Sequence, residues 1–107
     1  MKNKVITMCG SKKFQEKVMD VAFSLELKGN CILTPVFKIN TEGEILSEEE
    51  INILSKMHFR KIELSDAIYV VNVGGYIGKS VKNEIEYAKQ LGKEILYLEE
   101  INGDVHV

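Results

Sequence analysis

Ala67-Ile68-Tyr69-Val70-Val71-Asn72-Val73, a glycine loop, and then Gly78-Lys79-Ser80-Val81-Lys82-Asn83-Glu84-Ile85-Glu86-Tyr87-Ala88 form the stretch that decides the fold. The first run is too apolar for a strand with one wet face, so both of its faces should be covered. The second reads as a turn and a helix, with Ser80 as the N-cap. The apolar face of that helix is Val81, Ile85, Ala88 and Leu91. At about 100° per residue, Glu84 lies about 40° from the centre of this face, and Glu86 points to water. A strand feeding a helix through a glycine loop is half of a βαβ unit, and open α/β sheets bind ligands at the carboxyl ends of their strands.

Working outward, the same alternation repeats. Val5-Ile6-Thr7-Met8-Cys9 is a short β run that ends in the turn Gly10-Ser11. Residues 12–28 carry Phe14, Val18, Val21, Ala22 and Leu25 at helical spacing, closed by Gly29-Asn30. Cys31-Ile32-Leu33-Thr34 is a second strand, stopped by Pro35. Residues 36–46 are loop-like, with a turn at Thr41-Glu42-Gly43-Glu44. Ser47 followed by Glu48, Glu49 and Glu50 opens a helix with a capping box. Helical spacing continues through Ile51, Leu54, Met57, Ile62 and Leu64, as one helix or as two if Ser55 caps a second. Glu94-Ile95-Leu96-Tyr97-Leu98 is the last strand, and residues 99–107 read as a tail. The order β-α-β-(α)α-β-α-β predicts a parallel sheet with helices on both faces.

The length of 107 residues holds one domain, and 45% hydrophobic with 28% charged residues is ordinary globular material. A net charge of -2 gives no basic patch, which argues against a nucleic-acid polymer as partner. A single phosphate needs only a few donors and stays open as a ligand. No run approaches transmembrane length and no signal peptide is visible, so the expected setting is cytoplasmic and away from membranes. Cys9 and Cys31 both fall on strands expected to be buried, and read as small core residues in a reducing compartment. The spacing shows no CxxC and no cysteine–histidine zinc pattern, and no metal or organic cofactor is implied.

Three loops should meet above the sheet: residues 9–13, 34–46 and 72–80. In the first, Gly10, Ser11, Lys12 and Lys13 open a helix and suit a phosphate or carboxylate, or simply cap that helix. It lacks the spacing of a P-loop. In the third, Gly74, Gly75 and Gly78 permit close approach of a ligand to the backbone. Tyr76 either stacks on a base or covers the loop. No GxGxxG with its following acid is present, so a dinucleotide site is poorly supported. Glu84 is either a boundary glutamate or a functional carboxylate. The nearby helix N-terminus favours its ionised form, which suits a nucleophile. His58 is either packed or, if Ser55 begins a new helix, at the upper rim of the sheet, where it titrates near neutrality. A continuous helix from Ser47 would place it too far down. Asp66 precedes the central strand and should cap a turn at the opposite end of the sheet. His106 lies in the tail and carries no assignment.

The segment 66–72, the glycine loop, and Ser80-x-x-x-Glu84-Ile85-x-x-Ala88 together resemble the nucleoside 2-deoxyribosyltransferase superfamily. The Cys9-Gly10-Ser11 loop is closer to its 2'-deoxynucleoside 5'-phosphate N-hydrolase branch. A small uncharacterised group of bacterial and phage-type domains shares the pattern, including Met57-His58-Phe59-Arg60-Lys61-Ile62. The resemblance covers most of residues 4–98 and implies a single domain over 1–107. The implied architecture is a small doubly wound parallel sheet, flavodoxin- or Rossmann-like, in three αβα layers.

The implied activity is cleavage of an N-glycosidic bond, or deoxyribosyl transfer, on a nucleotide or nucleoside. Glu84 would attack the anomeric carbon and form a glycosyl-enzyme intermediate, as in retaining glycosidases. Ser11 and Ser80 match phosphate-holding hydroxyls, with Lys13 beside them. Phe37 and Tyr76 would wall the base pocket, and Gly10, Gly75 and Gly78 would shape its rim. Two positions depart from the family: Thr7 stands where a tyrosine is usual, and His58 where an aspartate is usual. His58 would then donate a proton to the departing base. Some members complete the pocket from a neighbouring subunit, which implies a homodimer. The alternative expectation is a non-catalytic nucleotide-binding or sensing module.

Overall fold

The computed structural model describes residues 3–37 and 45–100. The expected turn at 41–44 and the tail from 101 onward, with His106, lie outside them. The elements are β1 (Val5–Cys9), α1 (Gln15–Leu27), β2 (Cys31–Leu33), α2 (Glu48–Leu64), β3 (Ala67–Val70), α3 (Lys79–Gln90) and β4 (Glu94–Tyr97). Short 3-10 turns at Lys12–Phe14 and Val73–Gly75 precede α1 and α3. The four strands make one sheet in the order β2-β1-β3-β4, and every pairing is parallel. This is the small doubly wound α/β architecture that the alternation of elements predicts.

Strand parity sorts the core into two layers, because successive side chains point to opposite faces. Cys9, Ile68 and Val70 face α2 and α3, where they pack with Ile62, Val81, Ile85 and Ala88. Met8 and Val71 face α1 and pack with Val18 and Ala22. The sheet reverses its strand order between β1 and β3. Chains leaving those two neighbours diverge to opposite faces and open a crevice above their carboxyl ends.

Gly10 is fixed by this geometry. A Cβ there would sit 2.8 Å from Cγ2 of Val18 and 3.3 Å from Cβ of Val71. The first turn after β1 therefore brings backbone against the seat of α1. Gly10→Ala should cost about 1–3 kcal/mol through overpacking. A denaturation midpoint equal to wild type would show that α1 does not need this close approach.

Several boundaries differ from the sequence reading. Ser47 does cap α2: its hydroxyl accepts from Glu50 N–H, and the Glu50 carboxylate accepts from Ser47 N–H. The helix then runs unbroken past Ser55. The N-cap of α3 is Gly78, and Ser80 is already its second helical residue. Cys31 is exposed, because β2 is an edge strand. Leu91 is also exposed, since α3 has ended before it.

The largest difference concerns α2. As the crossover between parallel strands it must run against them, from the carboxyl edge down to the amino edge. Seventeen residues at about 1.5 Å each span roughly 25 Å. The four residues of β3 span only about 13 Å. The first half of α2 therefore projects above the sheet, and Ile51, Leu54 and Met57 remain exposed. Only His58 and Ile62 are buried along the helix. Its lower end is pinned: Thr7 Oγ1 donates to the carbonyl of Lys61 and bonds the Ser65 hydroxyl. Asp66 closes the amino edge by accepting from Val5 N–H through its carboxylate.

Candidate functional site

Above the β1–β3 boundary lies a cleft of about 460 Å³. The loop after β1 supplies Gly10, Ser11 and Lys12, the loop after β3 supplies Tyr76 and Gly78, and the first turn of α3 supplies Lys79 and Ser80. Phe37, with Pro35 and Val36, lines it from the segment after β2. The projecting helix α2 contributes Met57, His58 and Lys61, and α3 contributes Glu84. Glu84 sits one turn into α3 at the edge of its apolar face, as the 100° period requires.

Backbone chemistry shapes the rim. Gly74 and Gly75 adopt φ of +65° and +81°, a region that glycine enters without steric cost. The glycine loop is held from below by Asn72, which is buried. Its amide donates to the carbonyl of Glu99 and accepts from Glu99 N–H, both at 2.9 Å. The Glu99 carboxylate in turn accepts from Gly74 N–H. This clasp ties the end of β3 to the chain beyond β4, so Glu99 is a structural anchor and not part of a loose tail. On the other rim, the Ser11 hydroxyl accepts from Lys13 N–H and starts the 3-10 turn.

Two expected site residues do not line the cleft. Gly75 turns the loop from outside it. Lys13 places its ammonium 3.5 Å from the centre of the Tyr76 ring, a cation–π contact, and Phe14 meets the same ring edge-on. Tyr76 therefore covers the loop and lines the cleft together. Among the described residues, the lysines at the cleft are Lys12, Lys61 and Lys79. Lys61 is already donating to the carbonyl of Thr34 at 2.7 Å.

At the floor, three side chains from three elements converge. His58 Nε2 lies 3.4 Å from a Glu84 carboxylate oxygen and 3.6 Å from Cys9 Sγ. The His58 and Glu84 side chains are only 11% and 17% exposed, and Cys9 is fully buried. The continuous helix, expected to carry His58 too far down, instead brings it to the carboxyl edge because the helix starts so far above the sheet. The donor atoms of Cys9, His58 and Glu84 all lie within 4.8 Å of one another. This is a cysteine–histidine–carboxylate cluster that residue spacing did not show, since the three positions are far apart in the chain. The parity of β1 was the available signal for Cys9: it ends the strand on the α2–α3 face.

Burial raises the Cys9 thiol well above its usual range, and the charge and hydrogen bond of Glu84 raise it further. An unfolded cysteine ionises near pH ~8.5. Above that, the unfolded chain holds fewer protons than the native one. Stability must therefore fall as pH rises, by up to about 1.4 kcal/mol per unit. We expect Tm to drop above about pH 8.5 and the drop to be smaller in Cys9→Ala. If Cys31→Ala flattened the profile and Cys9→Ala did not, the exposed thiol would be responsible instead.

No family model and no curated protein matches this chain. Among solved structures, the fold is similar to that of a conserved protein from Enterococcus faecalis V583, with a TM-score of 0.60 and 16% identity. The match covers 89% of this chain and 62% of that one, so the chain spans less than two thirds of its length. At this identity the likeness speaks to the fold alone. Among the described residues, no helix is long and apolar enough to cross a membrane.

Proposed function

We propose that this chain cleaves the N-glycosidic bond of a nucleotide or nucleoside, or transfers its deoxyribosyl group, with Glu84 as the nucleophile. The observation that carries the reading is a mostly buried carboxylate on the floor of a cleft at the β1–β3 boundary, one helical turn from a glycine loop. A retaining mechanism needs such a carboxylate beneath a sugar ring. Ser11, Ser80, Lys12 and Lys79 at the rim supply donors and positive charge for a 5'-phosphate. Phe37 and Tyr76 supply aromatic surface for a base.

In this reading His58 positions Glu84 and does not protonate the leaving base. The nucleophile and the leaving group lie on opposite sides of the anomeric carbon, and paired catalytic groups of retaining enzymes stand about 5–5.5 Å apart. His58 Nε2 is only 3.4 Å from the Glu84 oxygen, on the nucleophile's side. At that distance the imidazole aims the carboxylate.

One observation favours a second reading, a nucleotide-binding or sensing module without catalysis. Glu84 already engages both His58 and the Cys9 thiol, and a carboxylate so occupied is a weaker nucleophile. Incubating the protein with single nucleoside monophosphates and nucleosides, and separating the products by chromatography, distinguishes the two. Free base supports the enzyme. Thermal stabilisation by a nucleotide with no base released supports the module. We propose a homodimer in solution, as the resemblance implies.

A further inference from the structure

We propose that Cys9, His58 and Glu84 form a binding site for a divalent transition-metal ion of the Zn²⁺ class, with an open fourth position facing the cleft. The inference does not rest on the nucleotide reading. Its first support is distance. Tetrahedral zinc, with bonds of about 2.3 Å to sulfur and about 2.0–2.1 Å to nitrogen and oxygen, sets sulfur about 3.5 Å from nitrogen, and nitrogen about 3.4 Å from oxygen. The observed separations are 3.6 Å for Cys9 Sγ to His58 Nε2 and 3.4 Å for His58 Nε2 to Glu84 Oε1. Two of the three separations match a tetrahedral ion, and the third, from Cys9 Sγ to the Glu84 carboxylate, is within 4.8 Å.

Charge is the second support. A thiolate and a carboxylate together carry two negative charges, which a divalent ion cancels in a buried setting where an unpaired charge is costly. Binding releases the thiol proton to solvent, and the sulfur becomes a ligand as the thiolate. The donor set supplies the third. Thiolate and imidazole favour zinc-like ions over Mg²⁺ or Ca²⁺, which prefer oxygen ligands. Cys9 lies beneath the cleft while His58 and Glu84 line it, so the remaining coordination position opens upward. Three protein ligands with an open fourth place is the arrangement of reactive zinc sites.

One feature limits affinity. Among the described residues, His58 Nδ1 is buried without a hydrogen-bond partner, whereas metal-bound histidines usually donate that proton to an acceptor. Lack of such a partner costs roughly 10–100-fold in affinity.

The test is titration of untagged, chelator-treated full-length protein with Co²⁺, followed by displacement with Zn²⁺. We expect one ion per chain, with a near-ultraviolet thiolate-to-cobalt band that Zn²⁺ abolishes. Cys9→Ser should remove the band, and Cys31→Ser should leave it unchanged. Glu84→Gln, which keeps the side-chain shape, should weaken binding more than the roughly 10–100-fold typical of an outer-shell change, and covers the case in which Cys9→Ser does not fold. Absence of a thiolate band at saturating Co²⁺, its loss in Cys31→Ser, or unaltered binding by Glu84→Gln overturns the proposal. No nucleotide is present in this experiment, so its failure leaves the glycosidic reading standing, and an inactive protein with the band leaves the metal site standing.

Discussion

Glu84→Gln should reduce base release from a turned-over nucleotide on the order of 10³-fold or more, equivalent to about 4 kcal/mol of transition-state stabilisation. Glutamine keeps the volume of the side chain and still presents a carbonyl oxygen towards His58 Nε2, so the floor of the cleft should hold its shape. What disappears is the anionic oxygen able to bond the anomeric carbon. Unchanged melting with abolished release is therefore the expected pair of results. Release at the wild-type rate would remove Glu84 from the chemistry and leave the cleft as a binding site. The low exposure of the side chain matters here, because a carboxylate free on the surface would have to shed its hydration shell before reaching the anomeric carbon.

The second large effect concerns stability. Ile62 is fully buried and packs with Cys9, Ile68, Val70, Val81, Ile85 and Ala88. Ile62→Ala should cost about 2–5 kcal/mol, a large part of the roughly 5–15 kcal/mol typical of a small domain. At about 4–8 °C per kcal/mol, Tm should fall by about 8–40 °C, and at the upper end the chain should not fold at all. Leu64, two residues on, is 59% exposed, and Leu64→Ala should stay within about 0.5 kcal/mol of wild type. Urea denaturation of the two variants checks the rotation of α2. A Leu64→Ala loss exceeding that of Ile62→Ala would mean the helix presents another face to the sheet.

That contrast also marks what could be read from the chain. The alternation of short apolar runs with helical spacing was enough for a parallel α/β sheet, because few other arrangements satisfy it. The inward lean of Glu84 and the Ser47–Glu50 capping box were legible because both are local to one helix. Ile51, Leu54, Met57 and Leu64 share a helical spacing with Ile62, yet they are exposed. Periodicity cannot say where a helix stands relative to a sheet, and half of α2 meets no sheet at all. The height of His58 had the same origin. Cys31 looked like a core residue because its strand is apolar, but strand order, which made β2 an edge, is a tertiary fact. The cluster of Cys9 with His58 and Glu84 depends on three elements docking and leaves no trace in spacing.

The rivet between Thr7, Lys61 and Ser65 turns the lower end of α2 into a ruler. Counting upward from it, His58 is reached at a fixed height and angle, and each added or deleted residue between positions 58 and 61 swings that imidazole by about 100° and shifts it about 1.5 Å. Length changes above Ser55 fall in the half of α2 that stands above the sheet. The chain should thus tolerate variation in the upper turns while permitting almost none in the single turn between histidine and rivet.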